Sequence, residues 1–286
     1  MNTFDEEIAQ WVGKHPYLKN IADFQSALDI AYKELLKEEG RQDQIIYDWE
    51  FAKRELKRGI PVLRAEVMTD DMKEQIAKFF IKTSDLMLEF EFSDEMRRKC
   101  QKIQTFFLSN RDILNEYIEE ILRGDEFTVA EFVSIHRGIF IFMLWNSLYL
   151  TLEPLKILVG HSLPEIGWER SYCPLCGQLP SMAQTTRKDN GEERILVCSC
   201  CKMRWTYGAS GCPFCQSANS QQTSIISLPD ENEFCIEACD KCQGYLKIYT
   251  KFGMERIALN DWSTLHVDMI AKNNGLKRIG YQLYEV

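Results

Sequence analysis

The sequence has only four histidines among its 286 residues (His15, His136, His161 and His266), and no two stand at metal-ligand spacing. It also lacks a Gly-rich phosphate loop, a G-x-S-x-G elbow and an H-E-x-x-H pair. The usual marks of nucleotide hydrolysis, esterase chemistry and zinc proteolysis are therefore missing. Basic charge is scarce: 34 Lys and Arg stand against 43 Asp and Glu, a formal net charge of −9. Nucleic-acid binders carry a basic footprint, and this deficit argues against one. Residues 1–14 hold Asp5, Glu6 and Glu7 and no apolar core, so they do not read as a signal peptide. The twin arginine at Arg97 and Arg98 is deep in the chain with no apolar run after it. The most apolar stretch, residues 138–152, is short for a bilayer span and carries Asn146 and Ser147. It is expected as a buried core helix in a cytoplasmic protein without stable membrane insertion.

What the chain does have is cysteine, and in one place. Ten of its 11 cysteines lie between Cys173 and Cys242, and only Cys100 stands apart. In a cytosolic protein such clustering points to metal or redox chemistry rather than a disulfide framework. Charge is segregated too. Residues 171–286 carry 12 basic and 12 acidic side chains, so residues 1–170 hold the whole net charge.

Two patterns divide the chain. In residues 103–121, Ile103, Phe106, Phe107, Leu114, Tyr117, Ile118 and Ile121 recur at spacings of three and four and predict one face of a helix. Similar faces run through residues 21–37, 44–57 and 72–90, with breaks at Gly40, at Gly59 to Pro61 and at Gly124. Thr128 and Glu131 make a capping box that would open the apolar helix. Beyond His161 and Pro164, short β-type segments such as 194–197, 224–228 and 245–250 alternate with turns rich in Cys, Pro and Gly. A helical pattern returns near Ile257, with Leu259, Trp262, Leu265 and Ile270 on its buried side. The expected fold is α+β: an all-α helical bundle over residues 1–165, then two small β domains in tandem, 166–210 and 211–286, the second ending in a helix.

Each small domain is defined by two C-x-x-C knuckles. Cys173 and Cys176 are followed after 21 residues by Cys198 and Cys201; Cys212 and Cys215 are followed after 23 by Cys239 and Cys242. Only 10 residues separate Cys201 from Cys212, so the simplest reading is two consecutive ribbons, each an all-sulfur tetrahedron of zinc-ribbon or rubredoxin type. Two residues between cysteines let a tight turn aim both sulfurs at one ion. Gly177 and Gly244 would permit a positive φ or a close approach of backbone N–H to sulfur, and Pro174 and Pro213 stiffen their turns. A thioredoxin-type redox pair needs one C-x-x-C at a helix N-terminus, which four knuckles in turn-rich sequence do not resemble. Spacing leaves the metal open between zinc and iron. Cys200, between two proposed ligands, could exchange into the first site; Cys235 reads as a small strand residue. With all four positions at each ion filled by protein, neither site keeps an open position for a substrate.

The residues around the knuckles resemble a known family. Trp168, then Tyr172-Cys173-Pro174-x-Cys176-Gly177-x-x-Pro180, is similar to the opening of the ribbon half of the formate dehydrogenase accessory protein FdhE family. So are Cys198-x-x-Cys201-x-x-x-Trp205, Cys212-x-x-Cys215, Cys239-x-x-Cys242-x-Gly244-Tyr245-Leu246-Lys247, and the pair Asp261 and Asp268 in the closing helix. Over residues 1–165 the likeness is one of helical character and length. Gly208-Ala209-Ser210 stands where the family carries a basic residue. The resemblance implies an accessory and maturation factor rather than an enzyme, whose partner is the catalytic subunit of formate dehydrogenase before export. Its metal would be zinc or rubredoxin-like iron, one ion per four-cysteine site. An electron carrier with redox-active iron is the alternative. Trp205, Tyr245, Lys247 and Asp261 are candidates for a partner-facing surface.

Overall fold

The computed structural model describes residues 4–39, 46, 48–90, 92–124, 137–188, 191–208, 211–217, 223–228, 231–281 and 284. Its first part is helical: α1 (Phe4–Lys14), α2 (Lys19–Glu39), α3 (Trp49–Lys57), α4 (Asp70–Glu89), α5 (Asp94–Ser109), α6 (Arg111–Arg123), α7 (Arg137–Thr151) and α8 (Glu153–Ile166). Side-chain caps open several of these, with Asp48 accepting from Phe51 N, Thr69 from Met72 N and Ser93 from Met96 N. The capping box at Thr128 and Glu131 lies outside the described residues.

The apolar stretch is α7, buried nearly all round and packed on α4. Its polar residues are satisfied inside the core: Asn146 Nδ2 donates to Phe142 O at 2.8 Å, and Ser147 Oγ to Met143 O at 2.8 Å. Among the described residues no single helix is long and apolar enough to cross a membrane. Only α7 and α8 together reach that length, and they are bent by 63°.

One helix expected over residues 103–121 is two. The break falls at Asn110 (φ −134°, ψ 60°), whose side-chain Nδ2 donates to Phe106 O at 2.8 Å. The amide side chain replaces the backbone bond that would have continued the helix. The two halves still bury Ile103, Phe107, Leu114, Tyr117, Ile118 and Ile121.

After Gly167, in the left-handed region at φ 69°, the chain turns to strands: β1 (Pro180–Lys188), β2 (Gly191–Cys198), β3 (Arg204–Thr206), β4 (Thr223–Leu228), β5 (Glu231–Cys239) and β6 (Tyr245–Tyr249). They form one six-stranded sheet in the order β3-β2-β1-β6-β5-β4. Each ribbon is an antiparallel hairpin, β1 with β2 and β4 with β5. The two are fused by a parallel pairing of β1 with β6 that sets Met182, Ala183 and Gln184 opposite Lys247, Ile248 and Tyr249. The closing helical region is α9 (Glu255–Ala258), a 3-10 turn (Trp262–Thr264) and α10 (Leu265–Asn273).

Two cores result. The larger joins α2 to α8 with the first ribbon's Cys173, Leu175, Leu196, Cys198 and Trp205. In the smaller, Ile8 and Trp11 of α1 pack with Phe234, Ile236 and Tyr249 of the second ribbon and Ile257, Trp262 and Val267 after it. Trp11 Nε1 donates to Ser263 O at 3.1 Å. The first helix in the sequence thus packs against the last elements of the fold.

Candidate metal centres

All four knuckles fold by one rule. The N–H of the first cysteine bonds a carbonyl five residues on: Cys173 to Gln178, Cys198 to Met203, Cys212 to Ser217 and Cys239 to Gly244, at 2.9–3.3 Å. Four residues after that cysteine the chain passes through the left-handed region: Gly177 at φ 77°, Lys202 at 61°, Gln216 at 53° and Gln243 at 59°. Gly177 therefore serves as expected. Gly244 does not supply the positive φ, which falls on Gln243. Its lack of a side chain instead makes room, since a Cβ there would lie 3.1 Å from Cys242 Sγ and 2.7 Å from Ile279.

The turns bring the sulfurs into two sets, Cys173, Cys176, Cys198 and Cys201, and Cys212, Cys215, Cys239 and Cys242, each within 4.8 Å. Closest sulfur separations are 3.4–3.5 Å in the first and 3.7 Å in the second. A disulfide would bring a pair to about 2.05 Å, whereas a tetrahedron of thiolates at about 2.3 Å from an ion has edges of about 3.8 Å. The donor sets therefore fit a tetrahedral metal. Backbone N–H groups approach the sulfurs as well: Cys176 N to Cys173 at 3.5 Å, and Cys200 N to Cys198, Phe214 N to Cys212 and Gly244 N to Cys242, each at 3.4 Å.

Electrostatics agrees. Burial pushes the Cys173 and Cys176 thiols well above their ordinary range. Burial also works against Cys198, yet hydrogen bonds from Cys173, Cys176 and Cys201 and the N–H of Cys200 hold it well below that range. Left alone, such a set shares protons around one thiolate; four thiolates together need a cation. Two tetracysteine clusters could thus hold two metal ions. Cys200 is buried outside its cluster, with its sulfur 3.6 Å from Ser199 Oγ and its N–H on Cys198. Cys235 is a half-buried residue of β5.

The clusters have different surroundings. All four cysteines of the first are buried, and its knuckle is bonded to the helical part. Val62 N donates to Pro174 O at 3.0 Å and Leu63 N to Leu175 O at 2.9 Å. Tyr172 Oη donates to Gly59 O at 2.8 Å, and Arg64 lies so close over Gly177 that a Cβ would meet its Nε at 2.6 Å. In the second cluster Cys215 and Cys242 are half-buried, and Gln216, Lys241 and Gln243 beside them are exposed or half-exposed.

The four residues proposed for a partner-facing surface are interior. Trp205 is buried, with Nε1 donating to Arg170 O at 3.0 Å beside the first ribbon. Lys247 is 0% exposed, and its Nζ donates to Asp261 Oδ1 at 3.1 Å, Thr264 Oγ1 at 2.8 Å and Asp268 Oδ2 at 2.7 Å. Arg278 bridges the same carboxylates, at 2.6 Å to Asp261 and 3.0 Å to Asp268, and Tyr245 Oη donates to Asp268 at 2.6 Å. Burial raises the Asp261 carboxyl, but Arg278, Lys202 and Lys247 outweigh it and hold the group well below the usual range. These residues clamp β6 to the closing helices. The surface assignment missed that all five residues of β6 are buried.

Sequence spacing also separated His15 from His266, yet they stack against each other with Glu231 beside them, their donor atoms within 4.8 Å. Burial and then His266 lower the His15 pKa below its ordinary value. Nothing local in the sequence signals this group, because its members come from three elements.

Comparison with known proteins bears on the whole arrangement. No family model matches the chain. It is 28% identical over 115 residues to the FdhE homolog of Aquifex aeolicus, covering 39% of this chain and 41% of that one. It is 29% identical over 139 residues to protein FdhE of Escherichia coli K12, covering 47% and 44%. The match thus spans less than half the length of these curated relatives. The crystal structure of the FdhE protein from Pseudomonas aeruginosa superposes with a TM-score of 0.62 at 19% identity, over 97% of this chain and 93% of that one. The resemblance to the FdhE family is borne out by relatives of that name, and the fold is shared through the helical part as well.

Proposed function

We propose that the chain is a cytoplasmic accessory factor for formate dehydrogenase that binds the catalytic subunit before its export and is not itself an enzyme. In this reading Cys173, Cys176, Cys198 and Cys201 hold one metal ion, zinc or iron, and Cys212, Cys215, Cys239 and Cys242 hold a second. The observation that carries it is the likeness to proteins named FdhE, in sequence around paired knuckles and in fold along nearly the whole chain. The chemistry of the sites supports it. Four thiolates saturate a tetrahedral ion, so these ions act as struts or electron-transfer centres rather than as Lewis acids toward a substrate. The first strut sets the ribbons on the helices, and the second, with two half-exposed cysteines, faces the partner. Affinity capture from anaerobic cytoplasm should retain the cognate catalytic subunit in its unexported form. Absence of that subunit from the captured material overturns the proposal.

The rubredoxin-like reading is favoured by one observation, the N–H groups aimed at sulfurs in both clusters. Such bonds tune the potential of thiolate-bound iron. Anaerobically purified protein would then be coloured and bleach on reduction. Colourless protein with two equivalents of zinc excludes that reading and leaves the accessory role standing.

A further inference from the structure

Away from the cysteine clusters, three side chains distant in sequence meet where α1, β5 and α10 converge. His15 follows the last residue of α1, Glu231 opens β5 and His266 lies in the first turn of α10. The imidazole rings stack with centroids 4.9 Å apart and planes 21° from parallel. Both Nε2 atoms face one carboxylate oxygen, Glu231 Oε2, at 3.6 Å from His15 and 3.3 Å from His266.

Hydrogen bonding accounts for only part of this arrangement. His266 Nδ1 is buried without a hydrogen-bond partner, and the buried Nε2 atoms of both rings have only the Glu231 carboxylate oxygen beside them, an ion-pair contact without good hydrogen-bond geometry. His15 Nδ1 is matched, by Tyr17 Oη at 3.2 Å. With Nδ1–H donating to Tyr17 Oη, the His15 ring presents Nε2 as a lone pair, which is how metal-bound imidazoles are oriented. Glu233 and Lys14, the nearest other charges, pair with each other, so the carboxylate at the rings is Glu231. Two imidazole nitrogens and a carboxylate oxygen thus converge on one point.

We propose that His15, Glu231 and His266 form a third metal site, separate from the cysteine clusters, which binds one divalent transition-metal ion of the zinc class. The donor set selects the ion. Two imidazoles and a carboxylate suit zinc, cobalt or nickel, whereas calcium and magnesium require oxygen donors throughout. The side chains are 10%, 13% and 17% exposed, and the 63%-exposed Tyr17 beside them puts the group near the protein surface. An ion here would clasp α1 to the second ribbon and the closing helices. The inference is independent of the proposed accessory role.

The test uses the full-length protein carrying two equivalents of zinc, one per cysteine cluster, with all further zinc removed, titrated with cobalt(II). Cobalt on nitrogen and oxygen donors shows weak visible bands without the intense near-ultraviolet sulfur-to-cobalt transitions, which separates this site from exchange at cysteine. One further equivalent of cobalt should bind without those transitions and raise the melting temperature. H266A should lose that equivalent while keeping its zinc. E231Q, which preserves side-chain size should the alanine variant fail to fold, should bind cobalt about tenfold or more weakly. A wild-type protein that binds no further cobalt, or a folded E231Q that binds it unchanged, overturns the proposal.

Discussion

The two tetracysteine clusters are built from the same turn and differ in what lies around it. In the first, the knuckle's carbonyls accept from Val62 N and Leu63 N, and every cysteine is inside the larger core. In the second, Cys215 and Cys242 are half-buried at the end of the sheet. The same sulfur geometry therefore makes an internal joint in one place and a surface centre in the other. Ligand spacing settles that an ion can be held; the neighbours decide what its loss would cost.

Removing one ligand from each cluster puts this difference to its hardest trial. Metal-binding energy in such sites is folding energy, on the order of 10 kcal/mol. C173S should lose one equivalent of metal and the cooperative helical transition with it, read by metal analysis and urea unfolding followed by circular dichroism. C215S should lose one equivalent and keep that transition. If both variants melt alike, the clusters are equivalent and the comparison fails. In the unaltered protein, a chelator should release one equivalent well before the other, and C215S should lack the early one.

The charge clamp beneath β6 gives the next largest effect. K247M leaves Asp261 and Asp268 buried with less compensation and should cost about 3–5 kcal/mol, with both metal equivalents retained. Asp261 also sets a pH dependence. Its native pKa lies below the unfolded value, so its contribution is complete above the ordinary aspartate pKa and is lost as pH falls through the depressed one. Stability measured from about pH 4 downward should therefore fall more steeply in wild type than in D261N. An equal slope would mean that the clamp does not hold Asp261 ionised.

The knuckle glycines and glutamines give the smallest differences. G177A forces a Cβ at φ 77° against Arg64 and should cost about 1–2 kcal/mol, more if Arg64 cannot move. Q243G removes a left-handed side chain from the second ribbon and should be neutral or stabilise by about 1 kcal/mol. The contrast tests whether the first knuckle is the tighter one.

The legible parts were those whose signal is local. The faces of α2 and α4 repeat every three to four residues, and a C-x-x-C turn needs only its own six residues to form. β1 was not legible, because Ser181, Gln184, Thr185 and Thr186 break any apolar alternation; its strand identity comes from its partners β2 and β6. The break at Asn110 leaves no mark in the periodicity, since its helix-ending bond depends on a rotamer rather than on a pattern. Lys247 and Asp261 looked like surface charges because burial of a charge shows only once its counter-charges are assembled.

By itself, the sequence determined the helical and cysteine-rich halves, the two sets of four sulfurs and the motifs shared with a family. Each depends on residues close enough along the chain for spacing alone to constrain them. Only the tertiary structure decided that β1 and β6 join the ribbons into one sheet, that α1 packs on the far end of the chain, and that one cluster is interior. It also decided that His15, Glu231 and His266 meet. These depend on contacts between residues tens to hundreds of positions apart, and no local periodicity encodes which surfaces will bury one another.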